Sequence, residues 1–142
     1  MTRRDWIMLY ARLALGSAFL SGIADRLGWW GKDVGYGGWT GFVRYTGQVN
    51  AFAPPAMIPF LAWAATVAEL TLGVLLIVGF RLKWTALASA VLLAIFGTAM
   101  AISLGPKSPL DYSVFSASAG ALLLANYAGE VRGERREVRG ER

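Results

Sequence analysis

Four segments of this chain, residues 6–24, 55–80, 82–104 and 110–128, are long, apolar and almost free of charge. Crossing the hydrocarbon layer takes a helix of about 20 predominantly apolar residues. In lipid every backbone N–H and C=O must be satisfied inside the protein, so such segments become helices. The pattern predicts an all-α membrane protein, a four-transmembrane-helix bundle, with residues 1–128 as its membrane domain. A soluble fold is excluded by the same numbers: 56% of the 142 residues are hydrophobic, and a domain of this size would leave a large apolar surface in water. The first segment is not read as a cleaved signal peptide, because Arg12 interrupts its apolar run and no small-residue cleavage site precedes a soluble domain.

The charged residues orient the bundle. Arg3, Arg4, Arg81, Lys83, Arg132, Arg135, Arg136, Arg139 and Arg142 fall on one side of the four segments, and Arg26, Lys32, Arg44 and Lys107 on the other. The positive-inside bias then predicts an inner (plasma) membrane protein with both termini cytoplasmic. Membrane flanks account for the net charge of +5, so no nucleic-acid partner is implied; the bilayer itself is the first partner. The chain has neither cysteine nor histidine, which excludes disulfides, thiol chemistry, imidazole catalysis and Cys or His metal sites.

Two stretches lie outside the four spans. Residues 25–54 form a long connection in which glycines punctuate Trp29, Trp30, Tyr36 and Trp39, a composition suited to headgroup depth. From Trp39 the spacing becomes helical, with Phe42, Val43, Thr46, Val49 and Ala53 on one face and Arg44 and Gln48 opposite. This predicts a short interfacial helix over 39–53, either a wedge that caps the bundle or a lid over an outward cavity. Residues 129–142 repeat "EVRGER" and read as a charged, mostly disordered cytoplasmic tail lying on anionic headgroups.

Glu69 is the one acid within the second span. On a helical wheel it shares a face with Ala62, Ala65, Thr66 and Gly73, while Phe60, Trp63, Val67 and Val78 lie away. Small residues mark helix contacts and an ionised acid avoids lipid, so Glu69 is expected to face the bundle interior. Arg12 is the candidate partner, about 7 Å away in depth at 1.5 Å rise per residue. A stretched Arg12–Glu69 pair, an Arg12 that reaches to the headgroups and a protonated, hydrogen-bonded Glu69 are the open arrangements. Ser113 and Ser116, on one stripe of the fourth span, extend the candidate polar interior, against the alternative of close backbone packing with hydroxyls bonded to their own helix. Asp111 is expected to cap the fourth helix, and Asp25 and Arg26 to mark the end of the first.

At "RLALGSAFLSGIADRLG" (12–28), "FVRYTGQVNAFAPPAMIPFLAWAATVAELTLGVLLIVGF" (42–80) and "SPLDYSVFSASAGALLLA" (108–125) the chain resembles the DoxX family of small four-helix membrane proteins. Arg12, Glu69 with Gly73, and the exit Gly79–Arg81 carry most of the resemblance. It implies a membrane subunit that supports a redox or sulfur-metabolising complex, with a membrane or cytoplasmic redox partner or further copies of itself, and without catalysis of its own. Its enzymatic alternative is a quinone-reducing subunit, like that of thiosulfate:quinone oxidoreductase, with a quinone or sulfur-anion site near Glu69 and Arg12. A lipid or small-solute carrier is the transport alternative. With no thiol or imidazole in the chain, electron transfer would use a bound quinone or a partner's cofactor.

Overall fold

The computed structural model describes residues 2–140, apart from the side chains of residues 135 and 136. Six helices follow in order: α1 (Arg3–Arg26), α2 (Trp39–Val49), α3 (Ile58–Val78), α4 (Leu82–Leu104), α5 (Lys107–Asp111) and α6 (Val114–Val138). No strand occurs among the described residues. α1, the run 55–78 that includes α3, and α4 are each long and apolar enough to cross a membrane.

Local chemistry sets the helix ends. The Thr2 hydroxyl accepts from the Asp5 N–H while the Asp5 carboxylate accepts from the Thr2 N–H, a reciprocal cap that starts α1 earlier than the apolar pattern does. Pro55 opens a 3-10 turn, Pro55–Met57, that leads into α3. α3 ends at Gly79, whose φ of 77° is left-handed backbone that glycine adopts without penalty. The expected fourth span is broken: Ser113 takes a φ of 55°, so α5 is a separate short turn and α6 starts at Val114. Asp111 therefore ends α5 and pairs with Lys107 one turn earlier, instead of capping the fourth long helix.

The four long helices close a ring in the order α1, α3, α4, α6, each antiparallel to its neighbours. α1 and α3 approach through glycine. A Cβ on Gly16 would lie 2.8 Å from Ile77 Cδ1 and 3.0 Å from the Gly73 carbonyl oxygen, and one on Gly73 would lie 3.1 Å from Leu20. Without an apolar driving force between helices in lipid, such close backbone approach is a main source of association. α4 and α6 pack through Gly97, which receives the Phe115 ring, and through the Ser118 hydroxyl, which donates to the Ala90 carbonyl at 2.7 Å.

The interior has two unlike halves. Toward the α3–α4 connection, Phe19, Leu76, Ala86, Leu124 and Ala125 form a packed core. Toward the 27–54 connection the helices enclose a cavity, over which α2 lies in contact with α1, α3 and α4. α6 continues through the expected disordered tail to Val138, and Arg4 of α1 pairs with Glu134 of the neighbouring α6 at 3.2 Å. That pair is exposed and contributes little; it nevertheless lays the tail beside α1. Glu141 and Arg142 of the second repeat lie outside the described residues.

Gly16→Leu should lower stability by about 1–3 kcal/mol through overpacking against Ile77 and Gly73. Gly120, where a Cβ meets nothing within 4 Å, should accept the same change with little effect. Thermal unfolding in detergent compares them; equal losses would contradict the α1–α3 contact.

Candidate functional site

Glu69 is buried in the bundle, and its partner is Arg26. Arg26 Nη2 donates to Glu69 Oε2 at 2.7 Å, and both side chains are under one-tenth exposed. Arg26 Nη1 donates to Thr66 Oγ1 at 2.9 Å, and that hydroxyl donates in turn to the Ala62 carbonyl at 2.8 Å. The guanidinium lies 3.7 Å from the centre of the Phe42 ring, a cation–π contact strengthened by desolvation. Gly22 leaves room for the carboxylate: a Cβ there would sit 3.3 Å from Glu69 Oε2.

Helix direction explains the choice of partner. Side chains lean toward the N-terminus of their own helix. Arg26, at the end of α1, leans back into the bundle, while Glu69 of the antiparallel α3 leans toward the same level. Arg12 stands fourteen residues earlier on α1, about 21 Å away along the axis. Its guanidinium packs against Gly79 at the C-terminal end of α3, so closely that a side chain at Gly79 would collide with it. A cation there complements the negative end of the helix. Arg12 thus lies at the Gly79 end of α3, ten residues from Glu69, and of the arrangements left open by the sequence the Arg12–Glu69 pair does not form.

Asp25 and Arg26 end α1, as expected of boundary residues, and both are also buried, 8% and 5% exposed. Asp25 Oδ2 accepts the Tyr36 N–H at 2.9 Å, which ties the 27–38 connection down onto α1. Gly35 lies directly over this carboxylate with a φ of 57°, and any Cβ would strike it. Arg26 Nε and Asp25 Oδ1 are buried without a hydrogen-bond partner.

These residues form one wall of a cavity of about 910 Å³. α2 and the residue that caps it contribute Phe42, Tyr45, Thr46, Val49 and Asn50; α3 contributes Ala64, Ala65 and Ala68 beside Glu69; α4 contributes Leu92, Leu93, Phe96, Ala99 and Met100. The roof is aromatic, with the Tyr36 ring 5.2 Å from Phe42 and 5.1 Å from Tyr45. Burial pushes the Tyr36 and Tyr45 hydroxyls up from the ordinary tyrosine range, so both are neutral donors at physiological pH. The arrangement can hold a molecule with an apolar body and a polar, hydrogen-bonding head.

Ser113 and Ser116 do not take part. Both are exposed and neither lines the cavity. The inner face of α6 runs instead through Ala117, Ser118, Ala121, Leu124 and Ala125, a register next to that of Ser116. Sequence reasoning missed Arg26, Asp25, Tyr36 and Phe42; the signal that could have found Arg26 is the lean of its side chain into the bundle.

The apolar helices and their enclosed polar pair define a multi-pass helical membrane protein with an internal ligand-sized cavity. The family model for DoxX matches residues 7–101, which span α1 to α4 and include Arg12, Arg26 and Glu69. The chain belongs to the DoxX family. Comparison with curated proteins and with solved structures gave no match.

Breaking a buried pair while leaving one charge uncompensated costs about 3–5 kcal/mol. Glu69→Gln and Arg26→Gln should each destabilise on that order, and the double variant should be no worse than the poorer single. Arg12→Gln should add to Glu69→Gln independently, because the sites are far apart. Unfolding of the singles and doubles in detergent measures both couplings; additivity between positions 26 and 69 would contradict the pair.

Proposed function

We propose that the protein is a four-span inner-membrane subunit of a redox or sulfur-metabolising complex, and that its cavity holds a quinone for a partner that supplies the electrons. The observation that carries this reading is the buried Arg26–Glu69 pair in the wall of a largely apolar cavity of about 910 Å³. Holding an ion pair away from water is costly and rarely a gain in stability, whereas intramembrane charges characteristically mark ligand or proton sites.

The residues fit a quinone. The volume lies in the range of small-molecule sites. Phe42, Phe96, Leu92 and Leu93 offer apolar surface for a ring, and the donors in the wall include the Arg26 guanidinium, the Asn50 amide and the Tyr36 and Tyr45 hydroxyls, all suited to carbonyl oxygens. A bound quinone would supply the two-electron, two-proton chemistry that no side chain here can. Arg26 would orient the head, and Glu69 and Thr66 hold Arg26 in place by its two terminal nitrogens. α2 and the Asp25-bound connection keep bulk water off the pair. α6 supplies the fourth span and α2 lies at the outer interface. Both termini are cytoplasmic: with Arg26 committed to Glu69, Lys32, Arg44 and Lys107 are the basic residues left outside.

Trp30 lines the cavity, so a quinone seated there should quench tryptophan fluorescence saturably in nanodiscs. Arg26→Gln should weaken apparent affinity by about tenfold, the equivalent of ~1.4 kcal/mol. Unsaturable quenching, the same in both proteins, would overturn the quinone reading, and displacement by phospholipid alone would favour a lipid carrier. For orientation, a cysteine at exposed Lys32 should react with an impermeant maleimide from outside and one at exposed Val138 from the cytoplasm. The reverse would overturn the topology.

A further inference from the structure

The cavity is not closed on all sides, and where it opens bears on what can enter. α3 and α4 are joined by the short turn 79–81 at the inner end, and their outer halves stand on either side of the cavity. α2 and the turn after it bridge the gap: the Trp39 ring packs 4.6 Å from that of Trp63 on α3, and the Ala51 N–H of the turn donates to Ser103 Oγ of α4 at 3.2 Å. Below this bridge the lining of the seam is Ala64 and Ala68 on one side and Ile95 and Ala99 on the other. Ala64 is exposed and Ile95 is 58% exposed, so the cavity wall reaches the outer surface of the bundle here.

A second depression, about 630 Å³, runs along the outer face of α3 between Phe60, Trp63, Val67 and Thr71. Ala64 and Ala68 line it as well as the cavity. Two methyl groups therefore stand between the inner space and a groove on the surface that faces lipid. No charge guards the passage, for α4 from Trp84 to Leu104 has no ionisable side chain and α3 has Glu69 alone, which is turned to Arg26. Water-facing residues would be required at an aqueous mouth; this seam has only apolar ones at hydrocarbon depth.

The geometry points to a lateral entrance between α3 and α4, through which the cavity takes a long-tailed membrane amphiphile, its head at Arg26 and its alkyl or isoprenoid tail leaving past Ala64 and Ala68 into the outer groove. The inference deepens the proposed function: it rests on that reading for the head group, while the entrance and the tail follow from the seam itself. It explains why this wall is built of alanines where the rest of the lipid face of α3 carries Phe60, Trp63, Val67 and Val78.

The chain has no cysteine, so Ala65→Cys and Ala99→Cys give single sites for a bimane fluorophore inside the cavity. In bilayers whose acyl chains carry bromine, both probes should be strongly quenched, while aqueous iodide should have little effect. Ala68→Phe, filling the seam, should reduce quenching by bromolipid at position 99. Quenching by iodide and not by bromolipid, or by neither, would overturn the entrance; a gel-filtration profile like that of the parent shows that each labelled protein is folded. The quinone titration separates the two ideas. Acyl bromines that reach position 99 without saturable quinone binding leave the entrance standing and the quinone reading refuted, and saturable binding with quenching by iodide alone gives the reverse.

Discussion

The contact between Arg26 and Glu69 imposes the strictest condition on this fold. Two charges held at 2.7 Å in a bundle interior are costly unless further hydrogen bonds and packing surround them and lipid is kept away. Several otherwise unrelated features serve that condition. α1 extends to Arg26 so that the side chain can lean inward; Gly22 makes room for the carboxylate; Thr66 takes the second guanidinium nitrogen; Phe42 of α2 covers the flat face of the guanidinium. The Asp25–Tyr36 bond then holds the connection that leads into α2. The pair and its cover thus form one unit drawn from α1, α2 and α3, set above a conventional apolar core.

That division has a physical logic. Toward the α3–α4 connection, Gly16 against Gly73 and Ile77 lets α1 and α3 approach, and the space closes around Leu76 and Ala86. Near the 27–54 connection, α2 bridges α3 and α4 and the space stays open. The packed half supplies rigidity, and the open half supplies volume beside the charged pair. A site fixed on rigid elements keeps its geometry better than one carried on loops alone.

Much of this was legible in the residues. The long apolar segments specify the long helices because hydropathy sums over about 20 residues and is insensitive to single exceptions. The small-residue face around Glu69 turns it inward for the same local reason that Phe60, Trp63 and Val67 turn out. The partner was harder. Arg26 sits where an apolar pattern ends, and such a residue reads as a boundary unless the lean of the side chain is counted. The break at Ser113 was hidden because a left-handed backbone there has no glycine to announce it, and it separates Ser113 from the register of α6. The tail read as disordered from its glycines, yet α6 runs on to Val138 beside α1. The cavity arises from the spacing of helices distant in sequence, and no local pattern encodes it.

In the proposed function the Arg26–Glu69 pair exists to hold the head of a membrane-resident quinone. Native mass spectrometry of the protein released from membranes tests it most directly. The parent chain should carry a neutral adduct with the mass of an isoprenoid quinone, lost on Arg26→Gln and kept on Arg12→Gln, whose guanidinium lies at the Gly79 end of the bundle. A quinone adduct equally retained by Arg26→Gln, or a parent chain that carries only phospholipid, would contradict it.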